Sequence, residues 1–389
     1  MTISSRWSLT VAAVALTVGL AGPAMAAATP EQVTAALTKL LAADKAVTVT
    51  LGTPAQTDDG VVYHDVTIKE ADGGETKIAV LTIGKPEVEG DTLSADSIVA
   101  ENVTGTSKGD NLTVASLEIT APVFTGKETG NRIDAISAEG ISLTQPGKSP
   151  LAIDSAGVDL SDYADDVPHA IDISVEGIAV DPASVDDSGQ FAGQLKAMGY
   201  DKLTLGFYGS GSLDETSGDL VVNEITIDGT DLGTVTLTGT FGGLDADTIK
   251  QLKQKNPPEE ALSKVTLKQA SLYYGDASLA GRIIALQAKQ MGQEPAAFVG
   301  QITGALPLFL SVIGNQPFQD KLAGGLTTFL KDPKNLTITA KPAAPIALLD
   351  LVVTSQTAPQ TLPDVLKADV IANQPETEDD DAGEGTDPN

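Results

Sequence analysis

From Val47 onward, apolar and polar positions alternate one by one over short runs, the period of a strand that buries one face. In the first long run Val62, His64, Val66 and Ile68 share one side and Tyr63, Asp65, Thr67 and Lys69 the other, which places His64 on the apolar side. Asp72-Gly73-Gly74 separates this run from the next, as a hairpin turn does. Upstream, Thr29-Pro30-Glu31-Gln32 reads as a helix start. Thr caps, Pro fits the first turn and Gln32 completes a capping box, so a short helix is predicted to about Ala43.

Between Leu93 and Val180 a short pattern recurs: Ala100-Glu101-Asn102-Val103, Ala121-Pro122-Val123, Ala138-Glu139-Gly140-Ile141, Ala156-Gly157-Val158 and Val175-Glu176-Gly177-Ile178. A spacing of about twenty residues is too short for a strand, a helix and their turns, but suits one long strand and its connection. Small residues at the recurring positions suit bulges or bends. The uneven spacing favours a meandering sheet over an irregular β-solenoid, the alternative.

A second strand group starts at Leu203, Leu205 and Phe207. It continues through Ile225 and Ile227 to Val235, Leu237, Gly239 and Phe241, with Thr234, Thr236, Thr238 and Thr240 on the opposite side. That alternation predicts a three-strand meander with the aliphatic face buried and the threonine face wet. Asp245 is placed to cap a helix ending before Asn256-Pro257-Pro258, and a strand follows from Val265 to Tyr274. From Ser278 to Leu330 the period becomes helical, with Leu279, Ile283 and Leu286 on one face and a second helix from Pro295 to Ile313. Strands are expected again at Leu336–Ala340 and Ile346–Val353, then a short helix at Leu362–Lys367.

The first residues change the picture of where this chain works. Arg6 precedes an apolar run from Leu9 to Leu20, followed by Ala24-Met25-Ala26, the layout of a cleavable signal peptide. Cleavage is expected after Ala26, leaving a periplasmic or secreted protein with no transmembrane anchor. The chain contains no Cys, so an oxidising compartment supplies no disulfide and the core alone must hold the fold. The formal charge is −29. The tail 374–389 contains Glu376, Glu378, Asp379, Asp380, Asp381, Glu384 and Asp387 with no basic residue, a composition that predicts disorder. Most of the negative charge nevertheless belongs to the body. Such a field repels phosphate backbones, so no nucleic-acid partner is expected.

Catalytic chemistry finds little support. With His64 and His169 as the only histidines, an H-E-x-x-H zinc site is impossible, and no G-x-x-x-x-G-K-[ST] loop occurs. Gly105-Thr106-Ser107-Lys108-Gly109 matches G-x-S-x-G, but strand-forming Asn111-Leu112-Thr113-Val114 follows where a hydrolase needs a helix. A hairpin turn is the expected reading. Asp162, Asp165 and Asp166, and Asp186 with Asp187, lack the alternate-position spacing of a calcium loop and read as turn chemistry. Neither catalytic residue, metal site nor cofactor is expected. Trp7, the sole Trp, leaves with the signal, which removes the ring best suited to stacking on sugars.

The uncharged stretch from Pro295 to Gln319 is the candidate binding segment. Phe298, Ile302, Leu306, Phe309, Leu310 and Ile313 form an apolar surface fit for core packing or for an acyl chain. Gly300, Gly304, Pro307 and Gly314 argue against a membrane span.

Over Leu93 to Val353 the iterated strands, and Asp231-Leu232-Gly233-Thr234-Val235-Thr236-Leu237 in particular, resemble exported β-repeat proteins of Gram-negative bacteria of the AsmA-like kind. The resemblance implies a long curved sheet forming an apolar groove, with a role in lipid handling or envelope homeostasis, and no catalytic residues. A cleavable signal without a retained anchor departs from that pattern.

The expected fold is α+β and β-dominated: a curved antiparallel sheet of iterated strands with a C-terminal helical cover. The organisation read from the chain is a signal at 1–26, a helix and β-repeat region at 27–190, a β-meander with helical cover at 191–373, and the acidic tail. The expected function is a non-enzymatic binding or envelope-maintenance factor holding an apolar or lipid ligand. A carboxylate-dependent hydrolase and a structural surface or adhesion component are the alternatives.

Overall fold

The computed structural model describes residues 28–41, 47–125, 131–164, 167–184 and 189–375. The expected signal segment, most of the acidic tail, and Asp165, Asp166, Asp186 and Asp187 lie outside them.

Among the described residues nineteen strands are formed. The first half holds β1 (Val47–Thr50), β2 (Ala55–Thr57), β3 (Gly60–Glu70), β4 (Glu75–Gly84), β5 (Glu87–Glu89), β6 (Thr92–Ser94), β7 (Ser97–Ser107), β8 (Asp110–Thr120), β9 (Val123–Phe124) and β10 (Ala135–Thr144). The second holds β11 (Leu151–Ala164), β12 (Val167–Val180), β13 (Leu203–Asp214), β14 (Asp219–Gly229), β15 (Gly233–Gly242), β16 (Thr266–Asp276), β17 (Asn335–Ala340), β18 (Ile346–Ala347) and β19 (Asp369–Ala372). Sixteen of them make one open antiparallel sheet in the order β1-β3-β4-β7-β8-β10-β11-β12-β13-β14-β15-β16-β17-β19, with β2 beside β3 and β18 beside β16. Strands β5, β6 and β9 form a small separate sheet. The β-dominated, antiparallel fold expected from the alternation is therefore present. The edges are short strands of two to four residues, β1, β2, β18 and β19, which limits the free backbone offered to another sheet.

The helices are α1 (Pro30–Leu41), α2 (Gln190–Ala197), α3 (Ala246–Leu252), α4 (Glu259–Lys264), α5 (Leu279–Gln290), α6 (Pro295–Leu310), α7 (Gln316–Lys331), α8 (Leu348–Thr357) and α9 (Leu362–Val365). Local chemistry starts several of them where the sequence indicates. The capping box at α1 is formed both ways, with the Thr29 amide donating to Gln32 Oε1 at 2.9 Å and the Gln32 amide to Thr29 Oγ1 at 3.4 Å. Asp245 caps α3 by accepting the Thr248 amide at 2.7 Å. Lys108 and Gly109, with φ of 52° and 92°, make the two-residue turn between β7 and β8, so Ser107 sits in a hairpin and not on a nucleophile elbow.

Three expectations about single elements are corrected. The run Ile346–Val353 is a strand only at Ile346–Ala347 and then becomes α8; a short apolar run reads equally as strand or helix until its surroundings decide. In α5 the buried face is Ile284 and Ala288, while Ile283 is exposed. His64 is exposed and Tyr63 fully buried, the reverse of the strict alternation. The cause is Asp65, which takes φ 56° and shifts the side-chain phase by one, so that the buried positions run Val61, Tyr63, Val66.

Asp65 is the first point of a seam. The pairing skips Asp65 against Ala79, Ala79 against Asn102, Asn102 against Ala115, Ala115 against Gly140, Gly140 against Asp154, and Asp154 against Gly177. Asp65, Asn102, Gly140 and Gly177 all have left-handed φ, between 53° and 65°. Three of the recurring motifs are thus copies of one backbone device, the small or Asn residue that permits positive φ inside a long strand. The motifs at Ala121 and Gly157 are not part of it. On every strand of the seam, apolar-face positions are two apart on either side and three apart across it, which keeps one face aliphatic along its whole length.

Candidate functional site

Because paired residues lie on the same face, the register assembles two unbroken rows. One runs Val61, Ile83, Ile98, Ile119, Ile136, Val158, Ile173, Gly209, Ile225, Leu237, Leu272, Ile338 and Val370, each directly paired with the next. The other, two residues along, runs Tyr63, Leu81, Ala100, Leu117, Ala138, Ala156, Val175, Phe207, Ile227, Val235, Tyr274, Leu336 and Ala372. At ~4.8 Å per strand the rows extend about 60 Å. Gly209 leaves no gap, because the Phe207 ring leans over it: a Cβ there would lie 3.6 Å from the ring.

Both ends of the rows are covered. Helix α1 and the small sheet close one end, where Val33, Leu37, Val61, Tyr63, Ile83 and Leu93 form the main core cluster. The Tyr63 hydroxyl lies 2.9 Å from Thr34 Oγ1, and burial pushes its phenol pKa up. At the other end α7 approaches so closely that a Cβ on Gly325 would lie 2.9 Å from Val370. Phe329 of α7 packs edge-on to Tyr274 with ring centroids 5.8 Å apart. Tyr274 donates to Asp276 at 2.6 Å, and Asp276 also accepts the Ala280 amide at the start of α5; burial first, then this carboxylate, raises the Tyr274 pKa.

Between the covers the face is open. Ile225, Ile227, Val235, Leu237 and Leu272 are 40–53% exposed, and Ile171 on β12 is also exposed. This reverses the expected sidedness of the meander: the aliphatic side faces solvent, while Thr226 on the other side is buried and bonded to Thr236 and Glu224. Contiguous aliphatic surface of this kind marks a contact surface. The opposite face is acidic, with Glu101, Ser116, Glu139, Ser155 and Glu176 paired in succession. Acidic neighbours Glu176, Asp228 and Glu224 add to desolvation in raising the Tyr208 pKa.

The open face ends in polar residues at His169, which is flanked by Asp162, Ser212, Asp214, Glu215 and Thr216 around a shallow cavity. His169 Nε2 lies 3.1 Å from Glu215. Asp214 accepts the Thr216 amide at 2.8 Å, the Ser217 amide at 3.3 Å and the Ser217 hydroxyl at 2.9 Å; the Ser217 hydroxyl, then these amides, hold its carboxyl below the usual range. Among the described residues no group of three or more His, Asp or Glu is arranged to hold a metal ion.

The six residues singled out in α6 and the turn after it are divided by the fold. Phe298 and Leu306 are buried, Phe298 in a cluster with Ile284, Ala288 and Val299 that Ile302 also joins. Leu310 and Ile313 are half-buried, and only Phe309 faces solvent, beside Leu308 and Val312. The edge of the packed face passes between Leu306 and Phe309, so the two do not present one surface. Pro295–Ile313 has the length and mean hydropathy, 1.8, of a bilayer-crossing segment, but by composition alone. The residues of the open sheet face are not among those the sequence singles out, although the family resemblance implies an apolar groove on the sheet. Its signal was present, since the alternating Ile225, Ile227, Val235 and Leu237 are plain, but a buried and an open aliphatic face have the same spelling.

A family model described only as "Uncharacterized protein" matches residues 226–373, from within β14 through β19. No curated protein matches the chain.

Proposed function

We propose that this chain is an exported, non-enzymatic envelope protein that holds the apolar chain of a lipid along the open aliphatic face of its sheet. The observation that carries the reading is the pair of register-matched aliphatic rows, covered at both ends and exposed from β14 to β16. A flexible hydrocarbon chain matches a surface that is long, aliphatic and without hydrogen-bond donors. The acidic reverse face keeps such a sheet soluble and disfavours sheet-on-sheet stacking. The resemblance to AsmA-like envelope proteins supports the same reading.

Protein purified without detergent should carry lipid detectable by mass spectrometry of an organic extract, and should take up a fluorescent fatty acid. Ile227→Asp/Leu237→Asp puts two carboxylates into neighbouring rows at exposed positions, where the fold tolerates them. A carboxylate against a dry hydrocarbon chain costs several kcal/mol, so uptake should fall at least tenfold while the circular dichroism spectrum is unchanged. Wild-type protein that neither carries nor takes up lipid overturns the proposal, as does normal uptake by the folded variant.

A further inference from the structure

We propose that the corner between α6 and α7 is a membrane-contacting element, entering the outer part of a neutral lipid bilayer through Leu308, Phe309 and Val312. These side chains are 75%, 65% and 88% exposed, the most exposed large apolar groups among the described residues. The backbone makes the corner a defined projection. Helix α6 stops at Leu310, a tight turn covers Ser311–Ile313, Gly314 takes φ 71°, and Asn315 starts α7 by accepting the Phe318 amide at 3.0 Å. Buried Leu306 anchors the corner from behind.

Two observations favour hydrocarbon over a protein partner. No charged residue occurs from Pro295 to Gln319, in a chain that is 20% charged and strongly acidic; a protein interface ordinarily has a polar, charge-bearing rim. The polar groups at the corner are also already satisfied within the fold. Ser311 Oγ donates to the Leu308 carbonyl at 2.7 Å, and Asn315 Nδ2 to the Gln360 carbonyl at 3.0 Å and to Asp364 at 2.9 Å. They can leave water without losing partners. Since Phe298, Val299 and Leu306 are committed to packing, the large exposed apolar side chains of this segment are confined to the corner, so the helix dips in and does not cross. Asp320 and Asp364 at its base select against anionic lipid.

The test is flotation of the exported protein, beginning at Ala27 and so free of the apolar Leu9–Leu20 run, with phosphatidylcholine vesicles. Wild type should float, and less when phosphatidylglycerol is added. Leu308→Asp/Val312→Asp should stay in the soluble fraction with an unchanged circular dichroism spectrum. Because Trp7 is the only Trp and lies before Ala27, the exported Phe309→Trp protein has a single emitter at the corner, which should shift to the blue on vesicles and be quenched by brominated acyl chains. Ile227→Asp/Leu237→Asp, aimed at the sheet, should float like wild type, so this inference and the lipid-holding role fail separately. The proposal is overturned if wild type does not float, if the corner variant floats equally, or if the emission does not move. A concentration-dependent dimer that the corner variant abolishes, without flotation, assigns the corner to self-association and overturns it as well.

Discussion

Asp245 accepts the Thr248 amide at 2.7 Å, and that bond from a backbone donor to the ionised form holds its carboxyl below the usual carboxylate range. A depressed folded-state pKa means stabilisation that is complete above the unfolded value of about 3.9 and lost as pH falls through the lower folded value. Asp245→Ala should therefore lower the thermal midpoint by a few degrees near neutral pH. The difference from wild type should shrink toward zero as scans are repeated at increasingly acid pH. A difference that persists in acid would mean that the side chain acts by packing and not by its charge. His64 and Asp65 make the complementary point. One residue with positive φ exchanges which neighbour is buried, so the side a residue faces follows from backbone conformation as well as from its place in the alternation.

At the scale of the strand, the seam explains three of the five motifs: Asn102, Gly140 and Gly177 lie on alternate strands β7, β10 and β12 at near-equal intervals, and the unequal spacing comes from the motifs at Ala121 and Gly157, which are not part of it. Gly177 has φ 65°, and a Cβ there would lie 2.1 Å from an Asp154 carboxylate oxygen. Gly177→Ala should cost about 1–3 kcal/mol in urea unfolding, from the strained conformation and the displaced carboxylate. Asn102→Gly at the equivalent place should be neutral within experimental error, because Gly adopts the same φ without a Cβ. Equal and small effects at both sites would show that the seam is incidental to the fold. Helix α6 illustrates the same scale: its length and apolarity follow from composition, but Ile284 of α5 and Leu330 of α7 determine which of its sides is packed.

Across the whole molecule, one aliphatic face and one acidic face are separated by a single layer of strands, and the two ends of the aliphatic face receive helices from opposite ends of the chain. The N-terminal cover starts directly after the expected cleavage point, where the Ala28 amide donates to the Pro86 carbonyl at 2.9 Å. Amino-terminal sequencing of exported protein should read Ala27-Ala28-Thr29, which leaves that amide intact. A start at Ala28 would convert it to a charged amine, and full-length protein held in the inner membrane would refute export as a soluble chain.

Local physics was legible in the amino acids alone. Capping at Thr29 and Asp245, the turns at Asp72–Gly74 and Lys108-Gly109, the antiparallel meander and the preponderance of strands all depend on contacts within a few residues, and residue type decides them. The open site was not legible, because Ile227 and Val235 alternate with polar neighbours just as buried residues do. Whether such a face is covered depends on where α1 and α7, both distant along the chain, come to rest. For the same reason Leu306 and Phe309, alike in sequence, were separated into core and surface only when α5 and α7 packed against α6. Burial is a property of what arrives from elsewhere in the chain, and only the tertiary structure supplies it.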